Sequence, residues 1–249
     1  MSVREFYDAL APWYEVVYPD WEASIERQAD ALSGLVAGEW GAEHRRVLDA
    51  AVGVGTQALG LAARGYSVLG ADLSPVAVRR AAAEARARAV SIPCLVSDMR
   101  AIPVRDRSVD VVIACDNALP HLLSEEDIRA ALSEFLRCLR DGGGCVVSLR
   151  DYSVSPAHGT VETQDYGERR WGERPARLRQ VRKWRGDLYD LVFEVVAEDG
   201  SGEVLAPTPQ TTYFAVSPDR VAGWMRAVGF RNVRRDDASW FQPLLIGTR

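Results

Sequence analysis

Three aspartates and two glycines stand where a sheet protein would set ligand-binding groups. Asp49 leads into the turn Ala50-Ala51-Val52-Gly53-Val54-Gly55-Thr56, Asp72 follows the apolar run 66–71, and Asp98, with Met99 beside it, follows the run 92–97. Glycine has no Cβ, so the backbone at Gly53 and Gly55 can take positive φ and approach a ligand closely. A carboxylate at Asp49 accepts from an ammonium group or water and favours a cation; a pyrophosphate would be repelled. A carboxylate at Asp72 can take both hydroxyls of a ribose. One at Asp98 can accept from an adenine amino group while Met99 packs on the ring. Singly, each acid reads as readily as an N-cap or loop carboxylate. Three at three successive strand ends are much harder to explain that way.

A second group of polar residues follows the next two apolar runs. Cys115-Asp116-Asn117-Ala118-Leu119-Pro120-His121 comes after the first, and Arg150-Asp151-Tyr152 after the second. The planar guanidinium of Arg150 suits a bidentate grip on a carboxylate, or a salt bridge to Asp151 or another surface acid. His121 is the best general base by chemistry, with Asp116 a second candidate; the plain alternative for His121 is a helix-entry or core histidine. Tyr7, Trp13, Tyr14, Tyr18 and Trp21 crowd the N-terminus. Such rings either close over a cation or pack as a hydrophobic lid. Tyr166, Trp171, Trp184 and Tyr189 could line a pocket or an interface. His44, His121 and His158 are too far apart for ligand spacing, so no metal is expected.

The elements that must position these groups alternate. The spacing of Ile25, Ala29, Leu32 and Val36 predicts a helix over 21–36 capped by Asp20. Strands are expected at 46–51, 66–71, 92–97, 109–115 and 145–149. Helices are expected at 57–64, stopping at Gly65, from Ser74-Pro75 to Ala89, and from Ser124 to about Leu139. The run Asp141-Gly142-Gly143-Gly144 reads as a break. Strand–helix alternation of this kind is the mark of a parallel sheet. After Arg150 the pattern changes to antiparallel strands joined by turns such as Arg185-Gly186-Asp187. A helix from Ser217-Pro218 to Gly229 and strands at 231–235 and 242–248 close the chain. The expected organisation is a helical lid over 1–40, a core over 41–151 and 214–249, and an antiparallel cover over 152–213.

The net charge of −5 argues against a general nucleic-acid binder, which usually needs a basic face. The arginines between Arg169 and Arg185 read as a solvated strand surface. Cys94, Cys115, Cys138 and Cys145 form no C-x-x-C pair and read as buried reduced thiols. No signal peptide is evident, and no apolar run reaches the roughly 18–20 residues of a membrane span. The expectation is a cytoplasmic protein acting on a small molecule, with no nucleic-acid or membrane partner and a homodimer left open.

An ammonium group, a ribose diol and an adenine amino group in one ligand describe S-adenosylmethionine, and here the sequence resembles a family. Val47-Leu-Asp-Ala-Ala-Val-Gly-Val-Gly-Thr-Gln57, Gly70-Ala-Asp-Leu-Ser74 and Ser97-Asp-Met-Arg100 are similar to the cofactor motifs of class I methyltransferases. Val52 departs from the cysteine many members carry. The resemblance implies an α/β Rossmann-like fold with a seven-stranded, mostly parallel sheet whose last strand is antiparallel. It implies S-adenosylmethionine held by Tyr14, Arg27, Asp49, Ala51, Gly53, Asp72, Leu73, Asp98, Met99 and Asp116. The Asn-x-x-x-His stretch at Asn117 and the arginine at 150 are similar to glycine and sarcosine N-methyltransferases. There the matching arginine binds the amino-acid carboxylate, and an arginine spaced like Arg27 holds the cofactor's methionine carboxylate. By this resemblance Asn117 and Arg150 face the acceptor, with Tyr7, Tyr18 and His121 expected beside it from their own chemistry, and the reaction expected is methylation of an amine or amino-acid-like nitrogen. An O- or C-methyltransferase, an NAD-dependent oxidoreductase and a non-enzymatic cofactor-sensing or scaffold protein are the alternatives. The oxidoreductase is disfavoured because the chain has no Tyr-x-x-x-Lys and almost no lysine.

Overall fold

The computed structural model describes residues 1–198, 203–205 and 209–249. Five parallel strands form the centre of the main sheet: β1 Arg46–Asp49, β2 Ser67–Asp72, β3 Cys94–Val96, β4 Val109–Ala114 and β5 Leu139–Ser148. Two more, β11 Arg231–Asp236 and β12 Leu244–Thr248, complete a seven-stranded sheet in the order β11-β12-β5-β4-β1-β2-β3, with β12 antiparallel to β5. The reversal of strand order between β1 and β4 puts a crevice at the carboxyl ends of these strands, where open α/β sheets bind ligands.

Both faces of the sheet are covered, which is why β4 is buried along its whole length. On one face α5 (Glu125–Cys138) and α6 (Pro218–Val228) bury Ile128, Leu132, Phe135, Val221 and Met225. On the other, α2 (Trp21–Trp40), α3 (Thr56–Ala63) and α4 (Pro75–Ala87) bury Ile25, Leu32, Leu59, Leu61 and Ala85. The expected caps are present. The side chains of Asp20, Ser74, Ser124 and Ser217 each accept a backbone N–H of the following first turn.

The glycine run before Cys145 is a correction. The helix has already ended at Cys138, and the run forms an irregularity inside β5, which starts at Leu139: its pairing with β4 jumps from Val109–Leu139 to Val111–Gly144, and Gly142 takes φ +79°. The glycines are needed for close approach, since a Cβ on Gly144 would lie 2.3 Å from the Trp40 ring and one on Gly143 would lie 2.7 Å from the Asp110 carbonyl. Trp40, the last residue of α2, lies directly over the strand and donates to Thr248 Oγ1 at 3.0 Å. Gly144→Ala is therefore expected to lower unfolding free energy by about 1–3 kcal/mol through overpacking. A urea titration checks this; an unchanged midpoint would mean the ring moves aside freely.

A second, antiparallel sheet is inserted between β5 and α6: β6 Val161–Trp171, β7 Arg174–Arg185, β8 Leu188–Glu198, β9 Glu203–Leu205 and β10 Gln210–Phe214, in the order β10-β8-β7-β6 with β9 on β8. Positions 199–202 and 206–208 of the expected cover lie outside the described residues. The hairpin turn at Gly186 is as expected, with φ +67°. The buried face of this sheet, including Leu178, Trp184, Tyr189 and Phe193, packs against Phe6, Leu10, Trp13 and Val16. These belong to α1 (Val3–Leu10) and the 3₁₀ turn Ala11–Val17. Among the described residues no helix is long and apolar enough to cross a membrane.

Candidate active site

The carboxyl ends of β1 to β4 ring a cavity of about 320 Å³. Of the sequence-predicted residues it gathers Tyr7, Tyr14, Tyr18, Ala51, Gly53, Asp72, Leu73, Asp98, Met99, Asp116 and His121. Gly53 takes φ +52°, and a side chain there would project into open space, with only the Ala51 carbonyl as near as 4.0 Å. The Gly53 amide donates to Asp72 Oδ2 at 2.8 Å, while Asp72 Oδ1 accepts from the Ser74 amide at 2.8 Å. The turn after β1 and the acid ending β2 are thus tied into one cradle.

Asp49 sits beneath that turn, 1% exposed, and does not line this cavity. Oδ1 accepts from the Ala51 amide at 3.2 Å, and Oδ2 has no partner. Burial pushes its carboxyl up to about 7, and burial also raises Asp72 and Asp116. Among the described residues no arginine or lysine pairs with any of these three. Two desolvated acids lining one cavity, with Asp49 buried behind the turn that forms its wall, make a site that a cation, or a ligand rich in donors, would relieve. Asp98 differs. Its carboxylate, at the cavity rim, is gripped by Arg100 through Nε (3.0 and 3.2 Å) and Nη2 (2.6 Å), which hold it below its ordinary range.

Asp116 and Asn117, just past β4, both have positive φ, +59° and +66°. The left-handed conformation is held in place by Ser148 at the end of β5: its Oγ accepts from the Asp116 amide at 2.7 Å and its carbonyl from the Asn117 amide at 3.1 Å. The turn aims Asp116 at the cavity, where it accepts from Tyr18 Oη at 2.9 Å. Asn117 lines neither this cavity nor its neighbour. It accepts from the Arg150 amide (3.0 Å) and donates to Tyr152 Oη (3.0 Å), so its amide positions Arg150.

His121 is buried, with Nε2 2.7 Å from Tyr7 Oη and its ring 4.0 Å from that of Tyr213. Burial drops its pKa to about 3, so the ring is neutral near pH 7 and a weak base. Tyr213 was not singled out from sequence; only the register of β10 on β8, pairing it with Tyr189, brings it here. The N-terminal aromatics divide. The three tyrosines line the cavity, whereas Trp13 stacks on Trp171 at 3.9 Å and Trp21 donates to Thr56 Oγ1.

A second cavity of about 800 Å³ adjoins the first, and the two share Tyr18 and Asp116. Arg27 and Arg150 lie in this second one. Arg27 donates to Ser24 Oγ. Asp151 pairs with Arg235 at 2.6 Å instead of Arg150.

The sheet order, the glycine cradle and the acids at the strand ends define a class I methyltransferase fold. Residues 47–143 match the family model of a methyltransferase domain. A glycine/sarcosine N-methyltransferase of Parasynechococcus marenigrum (strain WH8102) is 34% identical over 150 residues, 59% of this chain and 52% of that protein. The chain spans about half the length of the curated relatives it matches. The crystal structure of Streptomyces venezuelae DesVI superposes with a TM-score of 0.79 at 20% identity over 97% of both chains. An S-adenosylmethionine-bound amino pentose methyltransferase from Micromonospora echinaspora gives a TM-score of 0.75 at 18% identity over 95% of this chain and 94% of that one. Residues 47–143 are thus similar to a methyltransferase domain, and the chain as a whole has the class I methyltransferase fold.

Proposed function

We propose that the protein methylates a small acceptor, on the nitrogen of an amine or amino-acid-like molecule, with S-adenosylmethionine as donor. The observation that carries this reading is the pair of abutting cavities sharing the Tyr18–Asp116 wall. A transfer between two ligands needs two compartments that meet at one place.

The residues around the first cavity fit the donor. Asp49, unsatisfied on one oxygen, suits an ammonium group; Asp72 suits a ribose diol; Met99 and Leu73 offer apolar contact to a base. Bound there, the donor supplies an electrophilic methyl group on a cationic sulfur. The protein's own share is positioning and exclusion of water. Tyr7, Tyr14 and Tyr18 close the compartment from the N-terminal side, their ring faces suited to positive charge. Asp116, desolvated at the shared wall, is better placed than His121 to orient an amine and take its proton. Arg150 suits a carboxylate on the acceptor. The glycine/sarcosine N-methyltransferase relative supports nitrogen as the methylated atom.

Labelled donor offered with a panel of amines, amino acids, alcohols and phenols tests the reading. Label on an amine supports it, and label only on oxygen or carbon would replace it with the alternative acceptor class. Arg150→Ala should raise the acceptor KM about 10- to 100-fold, the loss of a charge-assisted contact, with cofactor affinity near normal. Equal loss of both affinities would refute the role of Arg150.

A further inference from the structure

The second cavity has an excess of positive charge in a protein whose net charge is −5. Arg27, Arg150 and Arg182 line it, and the one acid on its wall is Asp116, at the end shared with the first cavity. Among the described residues no carboxylate pairs with Arg150 or Arg182.

Arg182 is the unexpected member. The arginines of 169–185 read from sequence as solvated surface, and Arg177, Arg179 and Arg185 are indeed exposed. Arg182 lies on the other face of β7. Ala176, Leu178, Gln180 and Trp184, its period-two neighbours, are all buried. Its guanidinium is held by neutral acceptors only: Nη2 donates to Gln180 Oε1 (3.0 Å), Gln164 Oε1 (3.1 Å) and Tyr166 Oη (3.3 Å). Its Nε is buried without a partner. An inward-facing cation oriented by three neutral groups, with no counter-charge, is unfavourable for folding alone. It is suited to an incoming anion.

We propose that Arg182 determines acceptor specificity: with Arg150 it grips a doubly charged oxyanion end, paired carboxylates or a phosphate group, while the methyl-accepting atom lies at Asp116. The inference rests on the methyl-transfer reading of the site and adds to it the substrate class. The inserted sheet contributes one cation and the end of β5 the other, so the acceptor spans the joint between them. A cavity of about 800 Å³ has room for such a molecule.

The test uses the full chain, with and without S-adenosylhomocysteine, titrated calorimetrically with acetate, glutarate and inorganic phosphate. None of these carries an amine, so binding is read without turnover. Glutarate or phosphate is expected to bind at least about tenfold tighter than acetate, the gain from a second charge-assisted contact. Glutarate preference points to a dicarboxylate, phosphate preference to a phosphate ester. Arg182→Gln should reduce the preferred dianion to the level of acetate, with S-adenosylhomocysteine affinity unchanged and a melting temperature no lower than wild type, and Arg182→Lys should restore part of the difference. Equal binding of all three anions by the wild type overturns the proposal, as does a dianion preference that survives in Arg182→Gln. Failure of S-adenosylhomocysteine to bind would sink the methyl-transfer reading instead, and the titrations without it decide this one by the same criteria.

Discussion

Asp72→Ala is expected to weaken S-adenosylhomocysteine binding at least about a hundredfold, with the helical content of the protein unchanged. Each Asp72 oxygen already accepts one backbone amide, from Gly53 or from Ser74. A carboxylate offers about four lone-pair sites, so one remains on each oxygen for a ribose hydroxyl. The substitution removes both ligand bonds and releases the Gly53 turn together. Two charge-assisted bonds at roughly 1.5–3 kcal/mol each account for a hundredfold or more. Asp72→Asn keeps one acceptor oxygen but turns an NH₂ toward an amide donor, and should fall between. Calorimetric affinity within threefold of wild type for Asp72→Ala would place the ribose elsewhere.

Asp49→Asn should do two opposite things: stabilise the free protein at pH 8 and weaken cofactor binding there. Asp49 has an unfolded pKa near 3.9 and a folded one of about 7, because burial disfavours its charge. Between those values the folded state holds more protons than the unfolded state. Its contribution to stability is therefore fully present below about pH 4 and is lost as pH rises to about 7, by an amount on the order of a few kcal/mol. Asparagine carries no such penalty and can still accept from the Ala51 amide. Melting should rise by roughly 5–10 °C at pH 8 and change little at pH 4. Wild-type affinity for S-adenosylhomocysteine should climb as pH rises through 7, as Asp49 becomes the counter-ion to the ammonium. The variant should lack that climb and bind at least about tenfold more weakly at pH 8. The same melting shift at both pH values would show that the acid is not the source.

The legible part of the fold was the part written in short-range pattern. β1 to β4 are apolar runs that end in aspartate or a polar turn, and the serine and aspartate caps mark their helices directly. The start of β5 was not legible, because Gly142 to Gly144 look like a breaker until Trp40, far away in sequence, is seen lying on them. At the site, spacing located the Gly53 cradle and Asp72. The environments of His121 and Asn117 depend on what folds over them: Tyr7 and Tyr213 desolvate the histidine, while Arg150 and Tyr152 engage the amide. Arg182 was hidden among arginines, since composition cannot say which face of a strand turns inward.

The N-terminal segment is held partly by residues about 160 positions later, Pro12 and Trp13 by Trp171, and partly by Ser74 and Arg80, which bond Asp8 and Ala11. The core offers it the start of α4 to settle on, and the inserted sheet supplies the apolar face that completes its burial. Long-range closures of this kind form late and open early. The three tyrosines that cover the first cavity ride on this segment. Local fraying of this segment would give a ligand its way in without disturbing the seven-stranded sheet.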